Sequence, residues 1–321
     1  MRTLVSLLVL SFLLASPFVF SSEAHGLRRR TGDAHTSHGA AIQRDEDETP
    51  APDAEEPEPH DAFAEHLAGG RTTRGMVPHR ELHFTFDDGP RLDTTPILLD
   101  HLDALGIRAT FFVVTRGFDG SNRVDRAKAA PAQGIIRRGH ILGGHTHTHR
   151  DLTSFSLAER RDELDTAEAT FEDVLGGRPT LFRAPFGARN RMVNRELLRR
   201  GYTHMLWNIT SGDTTSRRAS DIVEAFERSL DIREHHSRGK GGIVLLHDTN
   251  TRVVEAFPAM IEVLQRRNCE LLEAGEELWD VLDTPDAFVA PRGEEAAMGL
   301  DDATREVRQA ALRIRTAQRC R

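Results

Sequence analysis

Cysteine is nearly absent: Cys269 and Cys320 are the only two in 321 residues. Two cysteines make no disulfide framework, and their spacing is not that of a zinc-binding pair. Free thiols are the expectation, with a single bridge pinning the C-terminal tail as the lesser alternative in an oxidising compartment. Histidines and carboxylates must therefore carry any metal chemistry. Aromatic platforms are also scarce, since Trp207, Trp279 and Tyr202 are the whole complement of Trp and Tyr. Lysine occurs only as Lys128 and Lys240; nearly all positive charge is arginine, a pattern that GC-rich codon usage explains. The formal net charge of −8 argues against nucleic acid as a main partner. No internal repeat is visible.

The chain begins with Arg2, an apolar run from Leu4 to Phe20, and then Ser21-Ser22-Glu23-Ala24. A basic start, an apolar core and small residues describe a secretory signal peptide over 1–24. The run is barely long enough to span a bilayer and Pro17 interrupts it, so stable membrane association is expected only if the segment is left uncleaved. An exported protein follows, whether periplasmic, held in the cell envelope or secreted. Residues 25–78 are polar, acidic and proline-rich, with too little apolar surface to offset ordering entropy, and read as a flexible, disordered linker. The folded domain is expected over 79–284, with a C-terminal helical tail over 285–321.

Strand candidates are Leu82–Phe86, Ala109–Val114, Ile141–Gly143, Leu181–Arg183, His204–Trp207, Ile243–Leu246 and the neighbourhood of Leu271. Helical periodicity runs over Thr95–Leu105, from the Ser156-Leu157-Ala158-Glu159 capping box to Leu175, and over Arg191–Arg200, Ile222–Leu230, Val253–Arg267 and Asp301–Gln318. Alternating strands and helices imply an α/β fold with parallel strands, either a barrel or a doubly wound sheet.

The C-terminal ends of these strands carry the chemistry. Leu82-His83-Phe84-Thr85-Phe86 leads into Asp87-Asp88-Gly89-Pro90, two adjacent acids that need a metal or an arginine beside them. Gly143-Gly144-His145-Thr146-His147-Thr148-His149 places three imidazoles within five residues. A helical turn pairs His145 with His149; an extended chain aligns all three. Two neutral imidazoles and one Asp make a three-ligand site for Zn²⁺ or a similar metal, with a position left open. Arg183 precedes Ala184-Pro185-Phe186-Gly187 and can donate two bonds to a carboxylate. Asp213 follows Trp207–Gly212, and Gly242–Leu246 delivers His247-Asp248 to its rim. In parallel α/β folds that rim is where sites are built.

Thr85-Phe86-Asp87-Asp88-Gly89-Pro90, His145-Thr146-x-x-His149, Arg183-x-Pro185-Phe186, Asp213 and Leu245-x-His247, in this order, resemble the polysaccharide deacetylase family. This is the NodB-homology domain of carbohydrate esterase family 4, and the resemblance covers roughly Arg80 to Leu282. It implies a distorted (β/α) barrel and one divalent metal ion, Zn²⁺ first and Co²⁺ or another divalent ion as alternatives. Asp88, His145 and His149 would bind the metal. Asp87 would be the general base, with Arg183 keeping it ionised. His247 would be the acid, oriented by Asp213. The backbone N–H of Phe186 would hold the oxyanion, and Leu245 would line the acetyl-methyl pocket. The expected partner is an acetylated polysaccharide of the GlcNAc type, such as peptidoglycan or a chitin-like glycan.

Two positions depart from that family's pattern. His147 stands where an aromatic is common, and Thr214 where Trp usually follows the Asp. Rival readings are an O-acetyl esterase on xylan or another acetylated glycan, a two-metal amidohydrolase suggested by His145-x-His147, and a non-catalytic glycan-binding module. The last is opposed by the presence of both Asp87 and His247.

Overall fold

A computed structural model describes residues 61–118, 123–236, 239–290 and 299–320. The assigned leader over 1–24 and the linker up to residue 60 lie outside the described residues. In chain order the elements are β1 (Glu81–Asp87), α1 (Thr95–Leu105), β2 (Thr110–Val113), α2 (Arg123–Arg137), β3 (Ile141–Gly144) and α3 (Leu157–Leu175). They continue with β4 (Leu181–Phe182), α4 (Arg191–Arg199), β5 (Thr203–His204), β6 (Ile209–Thr210) and α5 (Ala219–Glu234). The last four are β7 (Gly242–His247), α6 (Thr251–Glu273), β8 (Asp280–Val281) and α7 (Asp302–Arg319).

The strands lie in the order β5–β4–β3–β2–β1–β7–β6, every pairing parallel, with β8 beside β1. β8 and β2 share one edge of β1, β8 at residues 81–82 and β2 at residues 85–87. The two edge strands, β5 and β6, are consecutive in sequence. Laid flat, the edges would be about 29 Å apart at the usual strand spacing. The five residue steps from His204 to Ile209 reach about 18 Å at most. The sheet must therefore curl, which makes it the distorted (β/α) barrel that the resemblance implies and removes the doubly wound alternative.

Period-two patterning sorts the side chains of β1. Leu82, Phe84 and Phe86 face the helical layer, where Phe84 meets Phe226 and Phe257, and Phe86 stacks on Phe111 at 5.0 Å. His83, Thr85 and Asp87 face the other way, into the barrel. There a second cluster of Phe112, Ile141, Leu181, Met205 and Ile243 fills the interior, with Ala64, Leu67, Val77 and Phe288 packed against it.

That packing corrects the domain boundary. Residues 61–78, assigned to the linker, are built into the fold. Ala62 and Phe63 accept backbone N–H bonds from Leu142 and Thr180 at 2.8 and 3.0 Å, and Val77 is fully buried. Four small or apolar side chains spread through a polar stretch give no periodic signal, and only the barrel interior supplies their partners.

Three further corrections follow. Leu271 lies inside α6, which continues to Glu273, and the last strand is β8, after the turn at Gly275. The strand expected over His204–Trp207 is only β5, which ends at His204, and a further strand, β6, begins beyond it at Ile209 on the opposite edge of the sheet. Cys269 and Cys320 form a disulfide, with Cα atoms 5.8 Å apart, that ties the end of α7 to α6. The residues are 51 apart in sequence, and only the docking of α7 brings them together. Elsewhere local signals hold: the Ser156–Glu159 capping box is formed in both directions, and Gly176 closes α3 in the left-handed conformation. Among the described residues, no helix is long and apolar enough to cross a membrane.

Candidate active site

β1, β3, β4 and β7 deliver their C-terminal ends to one rim. At the end of β1, Asp87 is buried and points inward. A strand would turn the next side chain outward, but Asp88 adopts φ 75°, a left-handed conformation that an L-residue holds only at some cost. The inversion cancels the alternation and brings both acids to the same side.

After β3, Thr146 (φ 70°) and His149 (φ 60°) are also left-handed, folding the His loop back on itself. His149 N–H donates to Thr146 Oγ1 at 2.9 Å, and Thr148 N–H and Oγ1–H both donate to Glu163 of α3. The result places His145 Nε2 and His149 Nε2 at 3.3 and 3.0 Å from the same oxygen, Asp88 Oδ1. The three donor atoms all lie within 4.8 Å of one another.

Donor chemistry shows that a metal fits here. His145 donates its Nδ1–H to the Arg183 carbonyl at 2.6 Å, so Nε2 carries the lone pair that faces Asp88. Lone pairs of an imidazole and a carboxylate oxygen converging at this range repel unless a cation joins them. His147 is not part of this group. Its Nδ1 sits 3.0 Å from Thr115 Oγ1, on a different side of the loop.

Asp87 has a separate partner. Arg183 is fully buried, and its Nη1 donates to Asp87 Oδ1 at 2.7 Å and to Thr85 Oγ1 at 2.8 Å. Its remaining N–H groups reach the Met205 and Leu206 carbonyls at 2.9 and 3.2 Å, while the guanidinium lies 4.1 Å over the Phe112 ring. Every arm of the fork is held, so the carboxylate is aimed by a rigid cation. Asp87 Oδ2, the oxygen that Arg183 leaves free, lies 3.9 Å from His145 Nε2.

His247 ends β7 directly opposite Asp87 in the strand register. Its Nδ1–H donates to Asp213 Oδ2 at 2.9 Å, and the same oxygen takes the His247 backbone N–H at 2.9 Å. Nε2 is thereby turned to the site, 3.9 Å from Asp88 Oδ2. Burial pulls the imidazole down, yet the Asp213 bond and the charges of Asp213, Asp87 and Asp88 push it up to about 9. Leu245, two residues earlier, shares the inward face of β7 and is 8% exposed. Phe186 stands at the rim with φ 61°, 70% exposed, its ring edge-on to His149 at 4.9 Å.

The structure therefore gathers Asp87, Asp88, His145, His149, Arg183, Asp213 and His247, with Leu245 beneath and Phe186 above. Thr214 is exposed. Asp248, the second member of the rim pair, is separated from His247: it is fully buried, accepts from Thr95 Oγ1 at 2.5 Å, and burial pushes its carboxyl up to about 7. Gly89 packs on this carboxylate so closely that an added Cβ would lie 2.1 Å from Asp248 Oδ2. Glu163 was missed by sequence reasoning, because an acid in an amphipathic helix carries no mark of the loop it will hold.

Comparison with known proteins bears on this arrangement. The family model described as polysaccharide deacetylase matches residues 74–205. The chain is 30% identical over 199 residues to the protein YheN of Bacillus subtilis (strain 168), covering 61% of this chain and 67% of YheN. It is 29% identical over 203 residues to the peptidoglycan-N-acetylglucosamine deacetylase PgdA of Listeria monocytogenes, covering 62% of this chain and 39% of PgdA. The chain thus spans well under half the length of that second relative. The solved chitin deacetylase from Colletotrichum lindemuthianum matches with a TM-score of 0.56 at 22% identity, over 71% of this chain and 98% of that one, a likeness of fold.

Proposed function

The chain belongs to the polysaccharide deacetylase family, and from that premise we infer that it removes acetyl groups from an N-acetylated glycan of the GlcNAc type outside the cytoplasm. One observation carries the reading: Asp87 and His247 stand on adjacent strands at the rim that holds the Asp88–His145–His149 cluster, each with its own partner of opposite charge. Asp88, His145 and His149 would hold a divalent metal, Zn²⁺ before Co²⁺. Bound there, it would supply Lewis acidity to the acetyl carbonyl and to the attacking water.

Asp87 takes a proton from the attacking water at Oδ2, the oxygen not occupied by Arg183. The buried guanidinium fixes the carboxylate through Oδ1 and leaves Oδ2 free to accept. The backbone N–H of Phe186 donates to the developing oxyanion, and an oxyanion donor of this kind is worth about 10²–10³ in rate. Leu245 packs against the acetyl methyl. His247 then gives its Nε2 proton to the leaving nitrogen, while Asp213 fixes the tautomer and favours the charged ring. An imidazole pushed up to about 9 is protonated at neutral pH, which suits an amine, a poor leaving group.

Acetate release from chitooligosaccharide, peptidoglycan and acetylated xylan, measured side by side on metal-loaded protein, tests the reading. The amide substrates should release acetate and the chelator-treated protein should release none. Release from acetylated xylan alone would replace the N-deacetylase with an O-acetyl esterase. Equal failure on every substrate would favour a binding module.

A further inference from the structure

Phe186 belongs to two places at once. Its ring meets His149 of the cluster at 4.9 Å, and it also walls a small recess of about 130 Å³ with Arg74, Gly187, Arg189, Leu206 and Trp207. Trp207 ties that recess to the chemistry a second time, since its ring lies 5.6 Å from the guanidinium of Arg183, which holds Asp87. The chain beneath both arginines is fixed. Thr73, just before Arg74, donates its N–H to the His204 carbonyl at 3.0 Å, and its own carbonyl accepts from Leu206 N–H at 2.8 Å. Arg189 stands between Ala188, whose N–H donates to the Pro185 carbonyl at 3.0 Å, and Asn190, which caps α4.

No acid lines the recess. Arg74 and Arg189 are both exposed, and neither has an ion-pair partner among the described residues. The cavity between α6 and α7 shows the opposite habit, where Arg308 is answered by Asp280 at 2.7 Å. Two unanswered guanidinium groups beside aromatic walls suit an anion, and a planar fork suits a carboxylate best. The volume is that of about four waters, enough for a carboxylate on a short carbon stem and too little for a further sugar ring. Since the whole chain carries a formal charge of −8, an acidic glycan is not drawn to it in general. Any attraction must be local.

We propose that this recess takes a carboxylate carried by the glycan close to the acetyl group under attack, so that Arg74 and Arg189 select an acidic N-acetylated glycan over a neutral one. A neutral chain leaves both guanidinium groups to water and gains nothing from them. The assignment rests on the N-acetylated glycan inferred above and narrows it.

Metal-loaded full-length protein is assayed for acetate release from three soluble oligosaccharides. One alternates N-acetylglucosamine with N-acetylmuramic acid, the second is the same chain with its carboxylates reduced to alcohols, and the third alternates N-acetylglucosamine with glucuronic acid. The muramic chain should exceed its reduced form about tenfold in kcat/KM, by an advantage that shrinks with added salt. Arg74→Gln and Arg189→Gln should each cut that ratio about threefold, the worth of one exposed charge contact, and thermal transitions check that both variants fold. A gain on the glucuronic chain that the same variants lose would support the recess, with the carboxylate directly on the neighbouring ring. Equal rates on acid and reduced chains with no such gain, or a ratio that neither variant changes, would overturn it. If no chain releases acetate, the hydrolytic reading falls and binding decides the recess. Chelator-treated protein is then titrated with N-acetylmuramic acid, its carboxyl-reduced form and N-acetylglucosamine 6-phosphate by amide-resolved NMR. Saturable shifts at Arg74 and residues 186–189 from the muramic acid and not from its reduced form keep the site; their absence, or larger shifts from the phosphate, removes it.

Discussion

Asp87 and His247 are register partners on adjacent parallel strands, so their side chains leave the same face of the sheet one strand spacing apart. Each is tied from behind by a group of opposite charge, Arg183 at 2.7 Å and Asp213 at 2.9 Å. The same rim thus holds a carboxylate fixed by a guanidinium and an imidazole pushed up to about 9. Amide hydrolysis calls for a proton acceptor and a proton donor at one site.

Asp87→Asn should retain the metal and lose about 10²–10⁴ in turnover, since only the proton acceptor is removed. Stability should fall as well, by about 3–5 kcal/mol, because a fully buried guanidinium loses its counter-charge. Metal analysis of the purified variant, beside acetate release, checks the division of labour. Loss of the metal would mean that Asp87 and Asp88 do not have separate roles.

Glu163→Ala should weaken metal binding about 10–100-fold, the usual effect of removing a group that orients a ligand from behind. Its carboxylate receives both the N–H and the hydroxyl of Thr148, one residue before His149. Competition with a coloured chelator measures the affinity. A variant that binds metal normally would show that the left-handed turns at Thr146 and His149 hold the loop unaided.

Glu196 gives a stability effect with a defined sign. Hydrogen bonding to Arg199 leads, with Arg200 behind it, in pulling the carboxyl from 4.5 down to about 2. A depressed folded-state pKa adds stability that is fully present above about pH 4.5 and lost as the pH falls through about 2. Comparing thermal midpoints of wild type and Glu196→Gln from neutral pH into acid should show the gap between them closing. A gap independent of pH would mean that packing, not charge, is what the substitution removes.

Reducing the Cys269–Cys320 bridge should cost up to about 4 kcal/mol on a chain-entropy estimate for a loop of 51 residues. Denaturant midpoints with and without reductant measure it. Acetate release should persist, because the bridge joins α6 to α7 and neither carries a residue of the cluster. Loss of activity at full folding would make α7 part of the site.

Residues whose role is local were legible in the sequence. The alternation of β1, the capping box at Ser156 and the acid and imidazole clusters at strand ends are all encoded within a few positions. His247–Asp248 shows where such reasoning stops: two adjacent titratable groups look equivalent, yet the pleat sends one to the rim and buries the other beneath Gly89. The interior packing of residues 61–78, the Cys269–Cys320 bridge and the grip of Glu163 on Thr148 likewise have no local signature, since both partners must first be brought together.

Chain order and side-chain chemistry alone were enough for the α/β class, the strand ends that matter and the residues able to hold an ion, because hydrophobic period and motif spacing are properties of neighbours. Folding decided what spacing could not: that left-handed turns at Asp88, Thr146 and His149 bring the donors of Asp88, His145 and His149 to a single point, and that Arg183 passes through the barrel interior to reach Asp87. Those outcomes depend on the curl of the sheet, which sets distances between positions that are 60 to 100 residues apart along the chain.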